Sequence, residues 1–265
     1  MSGDLDVGDR PSSLAHQIEA LTQNLDWTLA HFAFVANVTS LADECDVAHS
    51  PGMSLASCHR LPLPVLAFVG GSADLLANYA TFLMDPGSDV YVMANAEQRS
   101  LVETAFEVRE VLPQWQMVFR GNVASLDPGP AVALEAQDEP AIQTLSEANN
   151  LQWIERDPLA AGPAFGVRKG RKLLSMATTR LRVPGAAEIG NIVTHPEHRR
   201  KGYAAASVSA LVRVLSCESL CVFLHVFQDK PDSIALYQKL GFEIVRPMYW
   251  MQCSVRSKGQ IEELL

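Results

Sequence analysis

The sequence has little positive charge and no long apolar run. It carries 21 Lys and Arg residues against 30 Asp and Glu residues, and the net charge of -9 argues against broad nucleic-acid binding, which requires a basic surface. No apolar segment approaches the about 18 residues that a membrane-spanning helix needs, so we expect no association with a membrane. The acidic, polar N-terminus also lacks the basic and apolar regions of a secretion signal. Together these absences predict a cytoplasmic protein.

The chain is also poor in cysteine, and its five cysteines form neither a Cys-x-x-Cys pair nor an even set for a disulfide framework. They are Cys45, Cys58, Cys217, Cys221 and Cys253. Isolated thiols of this kind are typical of reduced cytosolic proteins. His49 and His59 lie close to Cys45 and Cys58 in the sequence, but the spacing matches no familiar zinc pattern. The sequence therefore predicts no bound metal.

The length and the apolar content bound the architecture. A chain of 265 residues suits one large domain or two modest ones, and 48% hydrophobic residues supply an ample core. In the first half, apolar runs at 63–71, 90–95 and 115–120 predict strands, and a helical pattern follows the first of them. The spacing of apolar residues over 101–112 predicts a further helix, which Pro113 ends. This rhythm of strands and helices indicates an α/β half.

Pro and Gly cluster at residues 122–131, where the periodicity lapses, and mark the best boundary between two domains. We therefore predict an α/β domain at 14–122 and a second domain at 131–253. The second domain is predicted to begin with a strand, a helix and a hairpin that turns at 169–171, followed by alternating strands and helices. The predicted fold class is thus α/β in both halves.

Three cationic residues, Arg199, Arg200 and Lys201, stand directly before a glycine and an alanine-rich helix. The N-terminus of a helix has unpaired backbone N–H groups and about half a positive charge, so that it binds anions. Gly202 lets a phosphate approach the main chain without meeting a Cβ atom, and the small side chain of Ala204 leaves room for a similar approach at that position. Three basic residues alone are typical of a solvated turn. With the glycine at the helix start and an apolar strand before it, the pattern predicts a pyrophosphate site.

These residues carry a family resemblance. The stretch 199–204 resembles the Q/R-x-x-G-x-G/A loop of the GNAT superfamily of acyl-CoA-dependent N-acyltransferases. Residues 190–199 are similar to the fourth strand of that superfamily and its turn, and residues 233–242 are similar to its tyrosine-bearing helix and the strand start that follows. The resemblance covers about residues 131–253. The α/β rhythm of the first half is similar to the degenerate N-terminal half of two-domain members, among them glycine-N-acyltransferase-like proteins.

The resemblance implies the GNAT fold, in which a mixed, mostly antiparallel central sheet with splayed fourth and fifth strands is flanked by helices. A smaller α/β domain of degenerate GNAT-like type is expected to precede it. The resemblance also implies acetyl-CoA as cosubstrate, no metal, and transfer of the acetyl group to a primary amine of a small molecule by direct attack in a ternary complex. A non-catalytic acyl-CoA-binding module, a longer acyl donor and a protein acceptor stay open as alternatives, as does a homodimer.

The resemblance further implies which residues bind the cofactor. In GNAT enzymes the pantetheine arm enters the gap between the splayed strands and pairs with the fourth strand, here Ile192, Val193 and Thr194. The family often has Asn shortly before the tyrosine helix, whereas this chain has Lys230, which is able to reach a phosphate or the pantetheine instead. The pyrophosphate is expected to lie on the backbone of the loop and the helix start, at Arg199, Arg200, Lys201, Gly202, Tyr203 and Ala204.

Tyr237 is the candidate general acid, because the resemblance places its phenol over the sulfur of the cofactor. A typical thiol has a pKa of about 8.5 and a phenol a pKa of about 10, so a phenol that is itself neutral is available to protonate the leaving thiolate. The alternative interpretation of Tyr237 is a core aromatic residue. The oxyanion is expected to accept a hydrogen bond from a main-chain N–H near Val193.

Two residues are candidates for the general base. Glu188 lies on the predicted fourth strand, where many GNAT enzymes have a glutamate that acts through water. Strand alternation places it on one face with Gly190, Ile192 and Thr194, and a solvent-facing position at the start of the strand is the alternative. His225 lies in an apolar strand, where an imidazole is suited either to act as a base near neutral pH or to serve as a hydrogen-bonded core residue.

Overall fold

The computed structural model describes residues 12–151, 157–218, 220–257 and 259–260. The helices are α1 (Ser12–Thr22), α2 (Leu25–Ala30), α3 (Phe32–Val38), α4 (Ala73–Leu83), α5 (Arg99–Ala105), α6 (Glu139–Glu147), α7 (Tyr203–Cys217) and α8 (Pro231–Leu240). The strands are β1 (Cys45–Ser50), β2 (Met53–Cys58), β3 (Val65–Gly70), β4 (Asp89–Asn95), β5 (Phe106–Phe119), β6 (Ala131–Ala133), β7 (Ala164–Lys169), β8 (Lys172–Val183), β9 (Ala186–Thr194), β10 (Cys221–Phe227) and β11 (Phe242–Val255).

The chain divides into two compact units. The first unit comprises the described residues up to Gln114 and from Pro247 onward, and the second unit comprises Trp115–Arg246. The division falls inside two strands, after Gln114 in β5 and before Pro247 in β11. The predicted limits were 14–122 and 131–253. The predicted limits of the two domains stay a prediction.

In the first unit the strands are ordered β1-β2-β3-β4-β11. β3 and β4 pair in parallel across α4, and the other neighbouring pairs are antiparallel. The side-chain oxygen of Ser72 accepts a hydrogen bond from the backbone amide of Leu75 and caps α4. Phe68, Leu76 and Val92 lie in the core between this helix and the sheet.

In the second unit the strands are ordered β6-β7-β8-β9-β10, and the pairs are antiparallel except for β9 with β10. The parallel pairing begins at Ala186 opposite Cys221 and ends at Glu188 opposite Phe223, although β9 continues to Thr194. The fourth and fifth strands of this unit therefore part after Glu188. α7 connects them and packs against β7 and β8. The predicted fold class, a mixed and mostly antiparallel sheet with splayed fourth and fifth strands flanked by helices, is confirmed.

A β-bulge interrupts β9 at its middle. Between Gly190 and Val193 the register with β8 shifts, so that two residues of β9, Asn191 and Ile192, lie opposite one residue of β8. Asn191 adopts a φ of 48°, in the left-handed region that asparagine tolerates better than most residues. An extra residue of this kind is left out of the ladder and bends the strand.

The bulge corrects the predicted facing of β9. Strict alternation places Glu188, Gly190, Ile192 and Thr194 on one face and Ile189 on the other. In the structure, Ile189 and Ile192 pack against the same core cluster, because the extra residue shifts the following side chains by one position. The predicted common face is therefore wrong beyond Gly190.

One predicted helix is largely a strand. The pattern over 101–112 predicted a helix that Pro113 ends, but α5 ends at Ala105 and β5 runs from there to Phe119. The segment Phe106–Arg109 alternates apolar and charged residues, which suits a strand with one buried face better than a helix. The tertiary pairing of β5 thus overrides the helical spacing.

The remaining predicted elements of the two halves are confirmed. The runs at 63–71 and 90–95 are β3 and β4, and the hairpin of β7 and β8 turns between Lys169 and Lys172. The helices α1 to α3 and the hairpin of β1 and β2 were not predicted. In the described part of the chain, no helix is long and apolar enough to cross a membrane.

Candidate functional site

A cleft of about 880 Å³ opens in the second unit beside the end of β9. Three segments converge on it: the last residues of β9, the loop that leads into α7, and α8 with the residue before it. All the predicted cofactor-binding residues except Lys201 line this cleft, and so does the candidate acid. They are Ile192, Val193, Thr194, Arg199, Arg200, Gly202, Tyr203, Ala204, Lys230 and Tyr237.

The loop before α7 has a backbone conformation that suits an anion site. Arg200 and Gly202 have positive φ angles of 63° and 78°. Left-handed residues in a turn bring successive N–H groups into a shared concavity that suits an anion. The amide of Ala206 donates to the carbonyl of Gly202 at 2.9 Å as the helix begins, which leaves the earlier amides of α7 for a ligand. A Cβ atom at Gly202 would meet nothing within 4 Å, so the main chain is open to approach there.

Arg199 fixes the loop to its neighbours. Its Nη2 donates to Oδ1 of Asn149 at 2.9 Å, just beyond α6, and its Nε donates to the carbonyl of Thr194 at 3.3 Å. These two hydrogen bonds hold the guanidinium group between the end of β9 and the end of α6. Both acceptors are neutral oxygens, so these two contacts hold the positive charge of Arg199 beside the helix start without neutralising it.

Arg200 and Lys230 lie at the rim of the cleft, each beside a carboxylate. Nη1 of Arg200 is 3.2 Å from Oδ2 of Asp232, and both side chains are more than four-fifths exposed, at 85% and 89%. Lys230 Nζ lies 3.1 Å from Oδ2 of Asp229, again with both groups exposed. Exposed ion pairs are weak, so either cation is able to exchange its partner for a phosphate.

Tyr237 both packs in the core and lines the cleft. The residue is 7% exposed, and its ring meets Phe242 edge to face at a centroid separation of 6.1 Å. Burial raises the pKa of the Tyr237 hydroxyl above its usual range, so the phenol is neutral at physiological pH. The two readings of this residue, general acid and core aromatic, are therefore compatible with each other.

The two candidate bases form one buried, hydrogen-bonded pair. Nδ1 of His225 lies 2.8 Å from Oε1 of Glu188, and Nε2 lies 3.1 Å from the amide nitrogen of Gln116. Because an amide nitrogen only donates, Nε2 accepts, and neutral His225 carries its proton on Nδ1 and donates it to Glu188. Nη1 of Arg180 is 3.7 Å from the same carboxylate oxygen.

This pair does not share the cleft with the other predicted residues. The side chains of Glu188 and His225 are 3% and 5% exposed, and neither residue is among those that line the cleft. The solvent-facing alternative for Glu188 is wrong, because its carboxylate points to the imidazole. The pair lies where β9 and β10 part, since Glu188 is the last residue of β9 that pairs with β10.

Several polar residues that contact the predicted site residues were not found from the sequence. Asn149 and Asp232 line the cleft and bind the two arginines of the loop, and Gln116 binds His225. Asp232 follows Pro231 at the start of α8, a position typical of any helix N-terminus, so its signal was not specific. Gln116 lies on β5, and no sequence pattern connects it to a histidine on β10.

One group of side chains near the loop has the composition of a metal site. Within the described residues, His195, Glu197 and His198 bring potential ligand atoms within 4.8 Å of one another. Nδ1 of His195 is 4.0 Å from the carboxylate of Glu197, which is 77% exposed. As a structural zinc site, which closes with four ligands, this set of three is incomplete. The prediction of no metal cofactor stays a prediction.

The splayed strands, the basic loop and the tyrosine of α8 together define the GNAT fold, and solved structures agree. A protein from Novosphingobium aromaticivorans that is assigned to the GNAT family has a TM-score of 0.69 at 23% identity, over 86% of this chain and 99% of that chain. A GCN5-related N-acetyltransferase from Kribbella flavida has a TM-score of 0.60 at 14% identity, over 86% and 96%. A tandem GNAT protein from the clavulanic acid biosynthesis pathway has a TM-score of 0.58 at 14% identity, over 94% and 97%.

Residues 164–251 match the family model for FR47-like protein, which is related to GNAT. This segment contains β9, the loop, α7 and α8, which supply most of the cleft. No curated protein matches the chain. The resemblance found in the sequence is thus confirmed: the chain has the GNAT fold, and residues 164–251 are similar to FR47-like proteins.

Proposed function

We propose that the protein is an acyl-CoA-dependent N-acyltransferase that transfers the acetyl group of acetyl-CoA to the primary amine of a small molecule, in the cytoplasm. The observation that supports this most is the convergence of the β9 edge, the basic loop and Tyr237 on one cleft. Its volume of about 880 Å³ lies within the range of about 300–1,000 Å³ that is usual for small-molecule sites. Both substrates bind together, and the amine attacks the thioester directly.

The cleft fits acetyl-CoA by shape and by charge. Beyond Glu188, β9 is no longer paired with β10, so its main-chain groups are available to the amides of a pantetheine arm, which adds like a strand. The start of α7 suits the pyrophosphate, because Gly202 leaves the main chain open and Arg199 supplies positive charge. Lys230 adds a further cation at the rim of the cleft. When bound, acetyl-CoA supplies the activated thioester.

Tyr237 holds its hydroxyl hydrogen toward the departing sulfur. Burial raises the pKa of the phenol, so complete proton transfer to a thiolate with a pKa of about 8.5 is unfavourable. A hydrogen bond that strengthens as charge develops on the sulfur lowers the barrier without that transfer being complete. The sulfur then takes the hydroxyl proton of Tyr237 while a water molecule supplies another proton to the phenol oxygen. The phenol is therefore neutral at the end of the step. A main-chain N–H near Val193 supports the oxyanion.

Glu188 and His225 act together as the base in this proposal. The carboxylate is held by an imidazole that Gln116 orients, so the charge and the direction of the pair are fixed before the substrate arrives. Because neither side chain lines the cleft, the proton of the amine reaches the pair through an intervening water. The pair keeps the attacking amine neutral.

The first unit repeats the strand order of the second. β1, β2 and β3 pair antiparallel, and β3 then pairs in parallel with β4 across α4. β7, β8, β9 and β10 have the same arrangement across α7. This correspondence supports the proposal that the first unit is a degenerate GNAT-like domain.

Side chains fill the position in the first unit that corresponds to the cleft. The side chain of Gln98 bridges the two parallel strands. Its Nε2 donates to the backbone carbonyl of Phe68 on β3 at 2.6 Å, and its Oε1 accepts from the backbone N–H of Asn95 on β4 at 3.0 Å. A Cβ atom at Gly70, before α4, would collide with the carbonyl oxygen of Gly52. The cavity beside Gln98 and Phe68 measures only about 10 Å³. We therefore assign acetyl-CoA binding to the second unit.

The release of CoA tests the proposal. The purified protein is incubated with acetyl-CoA and a panel of primary amines, and free thiol and acetylated amine are measured together. We expect both products in equal amounts, at a rate that depends on both substrates. Calorimetric binding of acetyl-CoA with no turnover over the panel would instead indicate a binding module. Turnover with longer acyl-CoA donors alone, or with a protein amine, would correct the substrate, and failure to bind any acyl-CoA would overturn the proposal.

A further inference from the structure

Cys45 and Cys58 face each other across the hairpin of β1 and β2. Cys45 is the first residue of β1, Cys58 is the last residue of β2, and the two are partners in the antiparallel register. The hairpin turns between Ser50 and Met53, so the two cysteines stand at its open end. β1 is the first strand in the strand order and pairs with β2, so Cys45 lies on an edge strand.

The backbone hydrogen bonds show which kind of pair the cysteines form. The amide of His59 donates to the carbonyl of Glu44 at 3.1 Å, and these residues are the next partners in the same register. Hydrogen-bonded and non-hydrogen-bonded pairs alternate along an antiparallel ladder, so Cys45 and Cys58 occupy a non-hydrogen-bonded pair. At such a pair the Cα atoms are about 4.5 Å apart, which lies within the range of a disulfide. The backbone therefore needs little movement for the two sulfur atoms to bond.

The two thiols already interact. A hydrogen bond from the Cys45 thiol lowers the pKa of Cys58 to about 7, and the positive charge of Arg60 acts in the same direction. The same hydrogen bond raises the pKa of Cys45. Cys58 is 4% exposed, whereas Cys45 is partly exposed, so the pair is open to a small reagent from one side. One sulfur is thus the better nucleophile and its neighbour is placed to react next.

The neighbouring polar residues do not join the cysteines in a metal site. His59 binds Asp46 at 3.1 Å, and both alternate with the cysteines along the hairpin, which places them on the opposite face of the two strands. Among the other cysteines, Cys253 lies opposite Val90 rather than opposite a thiol. The pairing of Cys45 with Cys58 is therefore a specific feature of this hairpin.

We propose that Cys45 and Cys58 are an oxidation site that forms a reversible disulfide when the protein meets a hydroperoxide. With hydrogen peroxide, the thiolate of Cys58 attacks one oxygen, the O–O bond breaks, and the hydroxide that leaves is protonated to water. The sulfenic acid of Cys58 is then attacked by the sulfur of Cys45, and the S–O bond breaks with loss of a second water. Two thiols are oxidised by two electrons and one hydroperoxide is reduced. The disulfide closes a ring around the whole hairpin and fixes the end of its edge strand.

Peptide mapping of the full-length protein tests this proposal. The protein is reduced, freed of reductant and treated with hydrogen peroxide, and the remaining thiols are alkylated. A protease that cleaves before aspartate then cuts between Cys45 and Asp46, so the two cysteines fall in separate peptides. We expect these peptides to be joined, with the loss of two hydrogen atoms, and to separate after treatment with dithiothreitol.

Three variants sharpen the result. Cys45→Ser and Cys58→Ser each abolish the joined peptides, whereas Cys217→Ser, which removes an exposed thiol of the second unit, leaves them unchanged. If both Cys45 and Cys58 are alkylated after peroxide has oxidised Cys217, or if either is joined to another cysteine instead, the proposal is overturned. The measurement is made on the wild-type protein and does not require activity, so it is independent of the proposed function.

Discussion

Nδ1 of His225 lies 2.8 Å from the carboxylate of Glu188, and both side chains are almost completely buried. Removing one partner leaves the other buried without its hydrogen bond, at a cost of about 1–3 kcal/mol. The two residues that the sequence offered as rival bases therefore form one unit. Any experiment on one of them also changes the other.

Glu188→Gln is expected to lower kcat by about 100-fold and to leave the affinity for acetyl-CoA unchanged. The substitution keeps the size of the side chain and an oxygen that accepts from His225, but it removes the negative charge. Steady-state rates with a saturating amine and calorimetry with acetyl-CoA measure the two effects separately. The double variant with His225→Gln should lose little more, because both residues act in one step.

Glu218→Gln is the matched control for this prediction. It removes a carboxylate that binds Arg182 at 2.7 Å on the surface of the same unit, away from the cleft. We expect its kcat to equal that of the wild type. A Glu188→Gln protein that keeps full kcat, or losses that add up in the double variant, would remove the pair from the mechanism.

Gly202→Ala is expected to weaken the binding of acetyl-CoA by about tenfold or more, because a Cβ atom enters the space that the pyrophosphate needs. The control is Gly170→Ala, at the hairpin turn of β7 and β8. Both glycines have a positive φ, 78° and 61°, and neither added Cβ would meet an atom within 4 Å. Both variants should therefore lose a similar stability of about 1 kcal/mol, measured by denaturant unfolding. Equal acetyl-CoA affinity in the two variants would contradict the location of the anion site.

Tyr237→Phe is expected to lower kcat by about 10- to 100-fold with little change in acetyl-CoA affinity, because it removes a hydrogen bond made to developing charge. Tyr79→Phe is the control, since Tyr79 is similarly buried but lies in the first unit. Because burial raises the pKa of Tyr237 above its usual value of about 10, the wild-type kcat should show no loss from tyrosine ionisation up to that pH. An unchanged kcat, measured where the chemical step limits the rate, would leave Tyr237 as a core aromatic residue.

Calorimetry should find one acetyl-CoA per chain. The second unit has the large cleft, whereas the corresponding position in the first unit is bridged by Gln98 and leaves about 10 Å³. Gly202→Ala should weaken this single binding event rather than one of two. A stoichiometry of two, with one site insensitive to that substitution, would show that the first unit also binds the cofactor.

The cleft was predictable because its parts are close together in the chain. The end of β9, the loop, α7 and α8 follow one another, and each has a local signal: an apolar strand, a glycine at a helix start, and an amphipathic helix with a tyrosine. Local signals suffice when neighbouring elements of the chain are also neighbours in the fold. The bulge at Asn191 was missed, because no residue type requires it and it depends on the register with β8.

The buried pair of Glu188 and His225 was only half predictable. Glu188 and His225 stood out because charged or ionisable residues are rare in apolar strands, but the sequence did not show that they touch. Their contact depends on the pairing of β9 with β10, and Gln116 arrives from a strand whose first half was predicted to be helical. Pairing between distant strands overrides local periodicity, and this is where prediction from one sequence fails.

The doubled position at Asn191 and Ile192 makes the length of β9 as important as its composition. Deleting one of these residues would remove this bulge and make β9 more regular, although the second register shift, between Thr179 and Leu181 of β8, would remain. The same deletion would leave Val193 opposite Met176 and Thr194 opposite Ser175, but it would remove the bend that directs the end of β9, where both residues line the cleft. A more regular β9 would therefore suit the proposed binding of acetyl-CoA less well. Shortening the strand should lower this binding more than exchanging its side chains does.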